Sequence, residues 1–172
     1  MVSWYLHLLQ VPGKFKVSTV GRMISVVNLA YIAGLFDGDG AIMALIEKHS
    51  DMKFGFRVRV ILKVTQKNPE VLYWIQKTIQ LGKVVPNRTT NEWILKNQIE
   101  ILEFLKQMVR FVRIKKKQIT IAIEILQKPV KNQNDLIYIA TLADSLASFN
   151  VRSKNRRKNF MAKIKEIVPR KD

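Results

Sequence analysis

The chain has 172 residues, 48% of them hydrophobic, and sets 30 Lys and Arg against 13 Asp and Glu for a formal charge of +17. That length and apolar content suit one domain with its own core, and the charge favours phosphate polymers or anionic lipid as partners over other cations. With no cysteine and only two histidines, His7 and His49, disulfides and thiolate metal sites are excluded, and a His-rich zinc centre or a Ser-His-Asp relay is disfavoured.

No apolar run reaches the length of a membrane span. The start, MVSWYLHLLQVPGKF, has no basic leader, and its apolar run is broken by His7. It reads as neither signal peptide nor anchor, so a soluble, intracellular polyanion binder is expected. A membrane-surface role is weaker, because the basic residues are spread over several segments instead of one amphipathic helix.

In chain order, residues 1–27 form an extension of unclear role. Asn28 is a helix N-cap candidate, and Leu29 to Phe36 follow as a helix that Gly38 and Gly40 stop. The period then changes to two. Phe54, Phe56, Val58, Val60, Leu62 and Val64 alternate with a largely cationic set containing Arg57, Arg59, Ile61 and Lys63, which predicts a half-buried strand. Ile42 to Lys48 is its hairpin partner across residues 50–53. Asn68-Pro69-Glu70 opens a second helix, with a cap, a proline in the first turn and an acid at the positive end, and Gly82 closes it. A second hairpin follows, Lys83 to Asn87 with Glu92 to Leu95. Trp74 and Trp93, amid apolar neighbours, read as core.

After Asn97 the pattern is helical, with Ile99, Leu102, Leu105 and Met108-Val109 on one face. KKKQITIAIEILQK is ambiguous, because Ile119, Ile121, Ile123 and Ile125 alternate as a strand would. Beyond Pro129, a helix over Asp135 to Ser148 and a basic stretch lead to an amphipathic segment with Phe160, Ile164 and Ile167. The order αββαββα with a helical tail gives an α+β fold with helices on one sheet face.

The chemistry concentrates in AGLFDGDGAI, residues 33–42. A helix ending there aims its carbonyls and negative dipole end at Asp39, and carboxylate with carbonyl oxygen is what Mg2+ prefers. On spacing alone, a turn shaped by Asp37 and Asp39 is the simpler account. Inside the helix, Ala30, Ala33 and Gly34 are spaced three and four apart, on one face that lets another helix approach closely. A helical glycine costs about 1 kcal/mol relative to alanine, a cost that such contact explains.

LAYIAGLFDGDGAI resembles the signature of the LAGLIDADG homing endonucleases, in their single-motif, homodimeric branch. VTQK, the helix after Pro69, GKVVPNRTTNEWIL and FVRIKKKQ fall in that family's order and spacing. The resemblance covers about residues 28–128 well and the helical tail, 129–172, loosely. It implies the αββαββα fold with a saddle-shaped antiparallel sheet, and two signature helices packed at a dimer interface through Ala30, Ala33, Gly34 and Asp37. It further implies Asp39 and the Gly38 carbonyl as ligands of Mg2+ (Mn2+ or Ca2+ substituting for binding), Gln66 positioning water, and Lys115 at the scissile phosphate. Glu70 departs from the pattern, standing where a relative has a basic residue, and is read as a helix-start residue.

The implied partner is double-stranded DNA, read in the major groove by Leu45, Glu47, His49, Arg57, Arg59, Ile61 and Lys63, with Asn87 and Arg88 extending the surface. The same face is otherwise an ordinary solvated one, the better reading for any single residue. It fails for the set, since Ile61 and Leu45 exposed among cations look like contacts. Lys106, Arg110, Lys116, Lys117 and the Arg152–Lys158 stretch are assigned to phosphates. The implied activity is metal-dependent double-strand cleavage of a long pseudo-palindrome with 3′ overhangs, by an intron-encoded enzyme in a prokaryote's cytoplasm or an organelle. An intron RNA maturase or a catalytically silent DNA binder of the same fold is the alternative.

Overall fold

Ser25, not Asn28, starts the signature helix. In the computed structural model, which describes residues 14–16, 23–150 and 160–167, the Ser25 hydroxyl accepts the Asn28 N–H at 3.2 Å and the helix α1 runs Val26–Asp39. Asn28 already lies in its first turn, where its side chain cannot cap. Just before it, β1 (Lys14–Lys16) pairs antiparallel with β2 (Met23–Ser25), so the boundary expected at residue 27 falls inside a helix. At the other end Gly40 takes the chain into β3. A Cβ at Gly40 would collide with the Phe36 carbonyl and ring, so only glycine permits this tight exit.

The two hairpins join in one antiparallel sheet of order β3-β4-β6-β5, made of β3 (Gly40–Lys48), β4 (Phe56–Gln66), β5 (Lys83–Asn87) and β6 (Thr90–Leu95). Its register pairs Gly40 with Val64, Leu45 with Arg59 and Glu47 with Arg57, and on the other side Val64 with Trp93. Period two therefore sends Ile42, Ala44, Val60, Leu62, Val64, Trp93 and Leu95 to one face, where they are buried. The second hairpin turns on two residues, Arg88 and Thr89, with Arg88 at φ 53°.

The helices cover that apolar face: α2 (Glu70–Ile79), α3 (Gln98–Met108), α4 (Lys116–Gln127) and α5 (Gln133–Asn150). Leu29, Ile32 and Phe36 of α1 join Leu72, Ile75, Phe104 and Ile119 in one core. Trp93 is fully buried, edge-on to Phe104, and its Nε1 donates to the Leu81 carbonyl at 2.9 Å. Gly82, at φ +74°, lies so close to the Trp93 ring that a side chain there would displace it.

One ambiguity is settled and two expectations change. The Ile-rich segment 116–127 is a helix, because Ile119, Ala122 and Ile125 at spacing three form its buried line while Ile121 and Ile123 pack at its flanks. In α3 the Asn97 side chain caps the N–H groups of Ile99 and Glu100. That start turns Ile101, Phe104, Leu105 and Met108 inward and leaves Ile99 64% exposed. Trp74 is only half-buried, standing edge-on to Tyr31 with ring centres 5.2 Å apart.

The tail is built into the domain. Leu136, Ile139, Ala140, Ala143 and Leu146 of α5 are buried, and the Asn150 amide donates to the Ile42 carbonyl at the start of β3. The Asp144 carboxylate accepts the N–H groups of Phe160 and Met161 at 2.7 and 3.0 Å, capping α6 (Phe160–Ile167), whose Ile164 is buried. The side chain of Ile167 and the Arg152–Lys158 stretch lie outside the described residues. No described helix is long and apolar enough to cross a membrane.

Candidate active site and nucleic-acid face

Three distant parts of the chain converge at the end of α1. Gly40 pairs with Val64, so β4 carries Gln66, its last residue, past the end of the helix, where Gln66 Nε2 donates to Asp39 Oδ2 at 2.6 Å. From the other side comes the segment before α4. The Lys115 ammonium donates to the Asp37 carbonyl and lies 3.4 Å from the Gly38 carbonyl oxygen. The expected catalytic set Asp39, Gln66 and Lys115, with the Gly38 carbonyl, is thus one cluster, and Asp39 is exposed.

Asp37 is the joint that sets this geometry. Its carboxylate accepts the backbone N–H groups of Arg113 at 2.5 Å, Ile114 at 3.2 Å and Lys115 at 3.0 Å, holding the turn that leads into α4. Burial alone would raise its pKa. The three N–H donors and the Lys115 charge outweigh that and hold it below the ordinary carboxylate range. Its side chain thus bonds within its own chain, to the turn before α4.

The helix face also differs from expectation in part. Ala33 is fully buried in the chain's own core and does not reach the surface. Ala30 and Gly34 are exposed, and they share their face with Val27 (77% exposed) and Tyr31 (55%). A Cβ at Gly34 would meet nothing within 4 Å, so nothing else described in this chain demands glycine there.

On the sheet face away from the helices, Leu45, Glu47, Arg57, Arg59, Ile61 and Lys63 lie together as the register requires. Glu47 and Arg59 form an ion pair at 2.8 Å. Ile61 is 8% exposed, not open as expected. Met43 faces it across the ladder, and the long stems of Arg59 and Lys63 flank it along the strand. His49 sits beyond β3 in the turn, its Nδ1 3.9 Å from the Asp51 carboxylate. Arg57, Asn87 and Arg88 are exposed, as are Lys116 and Lys117 in the first turn of α4. Lys106 pairs with Glu103 at 3.0 Å on the exposed side of α3.

One residue of this face was missed. Glu92 is 8% exposed, and its carboxylate takes Lys63 Nζ at 2.6 Å and Asn87 Nδ2 at 2.8 Å. Burial pushes its pKa up, yet these two donors bring it below the usual value. Strand parity carried the signal, since Glu92 stands opposite Val85 and Thr65 and two residues along from Lys63's partner Ile94. Glu70 behaves as a helix-start residue: its N–H goes to Asn68 Oδ1 at 3.0 Å and its carboxylate accepts Asn68 Nδ2 at 3.3 Å.

The donor set suits a hard divalent cation, with an exposed carboxylate, a helix-end carbonyl and a lysine beside them. Among the described residues no three of the types His, Cys, Asp and Glu gather to form a cage. One copy thus offers the one-carboxylate seat that Mg2+ takes when waters and phosphate complete its shell.

Known proteins resemble this chain in sequence and in fold. The chain is 27% identical over 128 residues to the DNA endonuclease I-CreI of Chlamydomonas reinhardtii, a match covering 71% of this chain and 78% of that protein. It is 28% identical over 125 residues to the DNA endonuclease I-CvuI of Chlorella vulgaris, covering 70% and 78%. I-CvuI solved with its target in the presence of Ca superposes with a TM-score of 0.71 at 26% identity, over 81% of this chain and 91% of that one. The LAGLIDADG homing endonuclease I-SmaMI, bound to cleaved DNA, shares the fold at a TM-score of 0.67 and 21% identity. The match covers 83% of this chain but 49% of that one. With the LAGLIDADG endonuclease model matching residues 32–121, more than half its length, this chain belongs to the LAGLIDADG endonuclease family.

Proposed function

We propose that two copies of this chain form a divalent-metal-dependent homing endonuclease that cuts both strands of a long, pseudo-palindromic DNA target and leaves 3′ overhangs. The observation that carries the reading is the cluster at the end of α1, where Asp39, the Gly38 carbonyl, Gln66 and Lys115 meet. Relatives that share the fold act on DNA, I-CreI and I-CvuI being DNA endonucleases.

Asp39 and the Gly38 carbonyl would hold the cation, which when bound supplies charge for the developing phosphorane and acidity for an attacking water. The chain's own residues do the rest. Gln66 fixes the Asp39 carboxylate through its amide, and Lys115 supplies a positive charge for the scissile phosphate. No protein nucleophile is needed, in keeping with a chain that lacks cysteine. The sheet face carries recognition. Arg57, Arg59 and Lys63 suit guanine edges, Glu47 a cytosine amino group and Leu45 a thymine methyl. Lys116 and Lys117 suit phosphates.

The described residues carry one such cluster, and the chain's fold matches about half the length of I-SmaMI. The exposed stripe Val27, Ala30, Tyr31 and Gly34 beside the cluster is a fitting surface for a second copy, with Gly34 permitting close approach. Two half-sites would then lie ~10 bp apart. A prokaryotic cytoplasm or an organelle is the proposed location.

The test is a plasmid carrying the intron-less host gene, mixed with protein with and without Mg2+. Linearisation that needs Mg2+ is expected. Asp39→Asn should abolish it, a loss of at least about 10³-fold, while target binding in Ca2+ is retained. An Asp39→Asn protein that still linearises the plasmid would refute the assignment.

A further inference from the structure

The last turn of α1 contains no basic residue of its own. Yet it gathers the negative end of a helix dipole, helix-end carbonyls and the Asp39 carboxylate. The charge that answers them comes from 78 residues away, where Lys115 Nζ donates to the Asp37 carbonyl and lies 3.4 Å from the Gly38 carbonyl. This is no loose surface side chain. The three N–H groups held by the Asp37 carboxylate fix the backbone from which Lys115 projects. The Gly38 carbonyl is thus claimed twice, by the Lys115 ammonium and by the divalent cation for which Asp39 supplies the carboxylate. Two cations at one carbonyl repel strongly. Gln66 raises no such conflict, because the donor it places on Asp39 Oδ2 is neutral.

We infer that the Lys115 ammonium is the stand-in for the divalent cation in the metal-free protein, and that a metal seated on Asp39 and the Gly38 carbonyl drives it off the helix end. This rests on the metal seat proposed above and adds its regulation. The lysine meant for the scissile phosphate is parked until the cation arrives. Metal and phosphate binding are then coupled through one side chain, and by linkage each favours the other. The metal-free chain can hold DNA through its other cations while its phosphate clamp stays engaged with its own backbone.

The test needs no cleavage. Mn2+ is titrated into DNA-free protein and free Mn2+ is read by electron paramagnetic resonance, for the wild type, Lys115→Met, Asp39→Asn and the double variant. Removing the ammonium should tighten Mn2+ binding about tenfold, and Asp39→Asn should abolish binding with or without Lys115. Affinity unchanged or weakened in Lys115→Met overturns the inference and leaves the metal seat standing. Mn2+ binding undiminished in Asp39→Asn overturns the seat itself, and the inference with it. A second measurement covers a Met variant that does not fold. In 15N-labelled wild-type protein, the Lys115 ammonium resonance, assigned by its loss in Lys115→Arg, should shift as Mg2+ saturates the site. A resonance that stays in place overturns the inference.

Discussion

The end of α1 and the open face of the sheet both set carboxylates among cations, but they satisfy them from different parts of the chain. At the helix end, Asp37 and Asp39 are answered by Arg113, Ile114, Lys115 and Gln66, delivered by β4 and by the entrance to α4. Those elements are anchored by fully buried residues such as Phe36, Leu62 and Ile119. On the sheet, Glu47 with Arg59 and Glu92 with Lys63 pair strand to strand within one surface. The first arrangement fixes a geometry, because moving any partner means moving a core element. The second is a set of local pairs that can be exchanged without disturbing the core. On the proposed function, chemistry that must not vary would occupy the former, and recognition that must adapt to a target the latter.

Asp37 offers the strongest way to break that contrast. Asp37→Ala orphans three backbone N–H groups in the turn before α4 and should cost about 3 kcal/mol, a fall in Tm of roughly 6–12 °C. Its carboxyl titrates below the ordinary value of 3.8. The stability it contributes is therefore complete above that value and is lost as pH falls through the folded-state pKa. Thermal melts between neutral pH and pH 2 should show this acid-side loss in the wild type and a smaller one in Asp37→Ala. Equal melting curves would place the N–H groups with other partners.

How far the sequence announced each region follows from the range of the interactions. The site cluster was legible, since Asp39, Gln66 and Lys115 fall in motifs that resemble a known family. The strand faces were legible too, because period two and a single register assign every side chain. The role of Asp37 was not legible, because its partners lie 76 to 78 residues away and nothing local announces that an acid at a helix end will hold a distant turn. Ala33 was misplaced because small residues spaced three and four apart fit a close helix contact and a tight core equally well. Glu92 escaped notice since an acid amid TNEWIL stands out only once β4 and β5 are known to flank it. Residues 14–16 were illegible, three residues carrying too little pattern to announce a strand.

Glu92 sharpens the recognition half of the comparison. Glu92→Gln removes the charge that engages Lys63 and Asn87, so the face gains one net positive charge. Binding to unrelated duplex should tighten, with the slope of log K against log salt steeper by about 1. Discrimination at the base pair under Lys63 should change by about 1–3 kcal/mol. Fluorescence anisotropy against a set of single-substitution targets measures both. An unchanged salt slope together with unchanged preferences would mean that this cluster does not face DNA. Folding stability should fall modestly, with the acid-side pH dependence of a carboxyl titrating below its usual range.

The smallest effect belongs to the more exposed of the two sheet pairs. Glu47 and Arg59 meet at 2.8 Å with their side chains 46% and 31% exposed, where water competes for both charges. Breaking the pair with Glu47→Gln should change stability by less than about 1 kcal/mol. Its consequence for recognition should be larger than its consequence for folding, because the released guanidinium can turn from its neighbour to a guanine edge. A thermal melt and a target-preference profile on the same variant separate the two. If Glu47→Gln lowers Tm as far as Asp37→Ala does, the sheet face is as tightly built as the helix end, and the division between fixed chemistry and exchangeable recognition fails. If instead the melt is unmoved while the preferred base near Arg59 changes, the surface pairs are what this fold alters when it meets a new target.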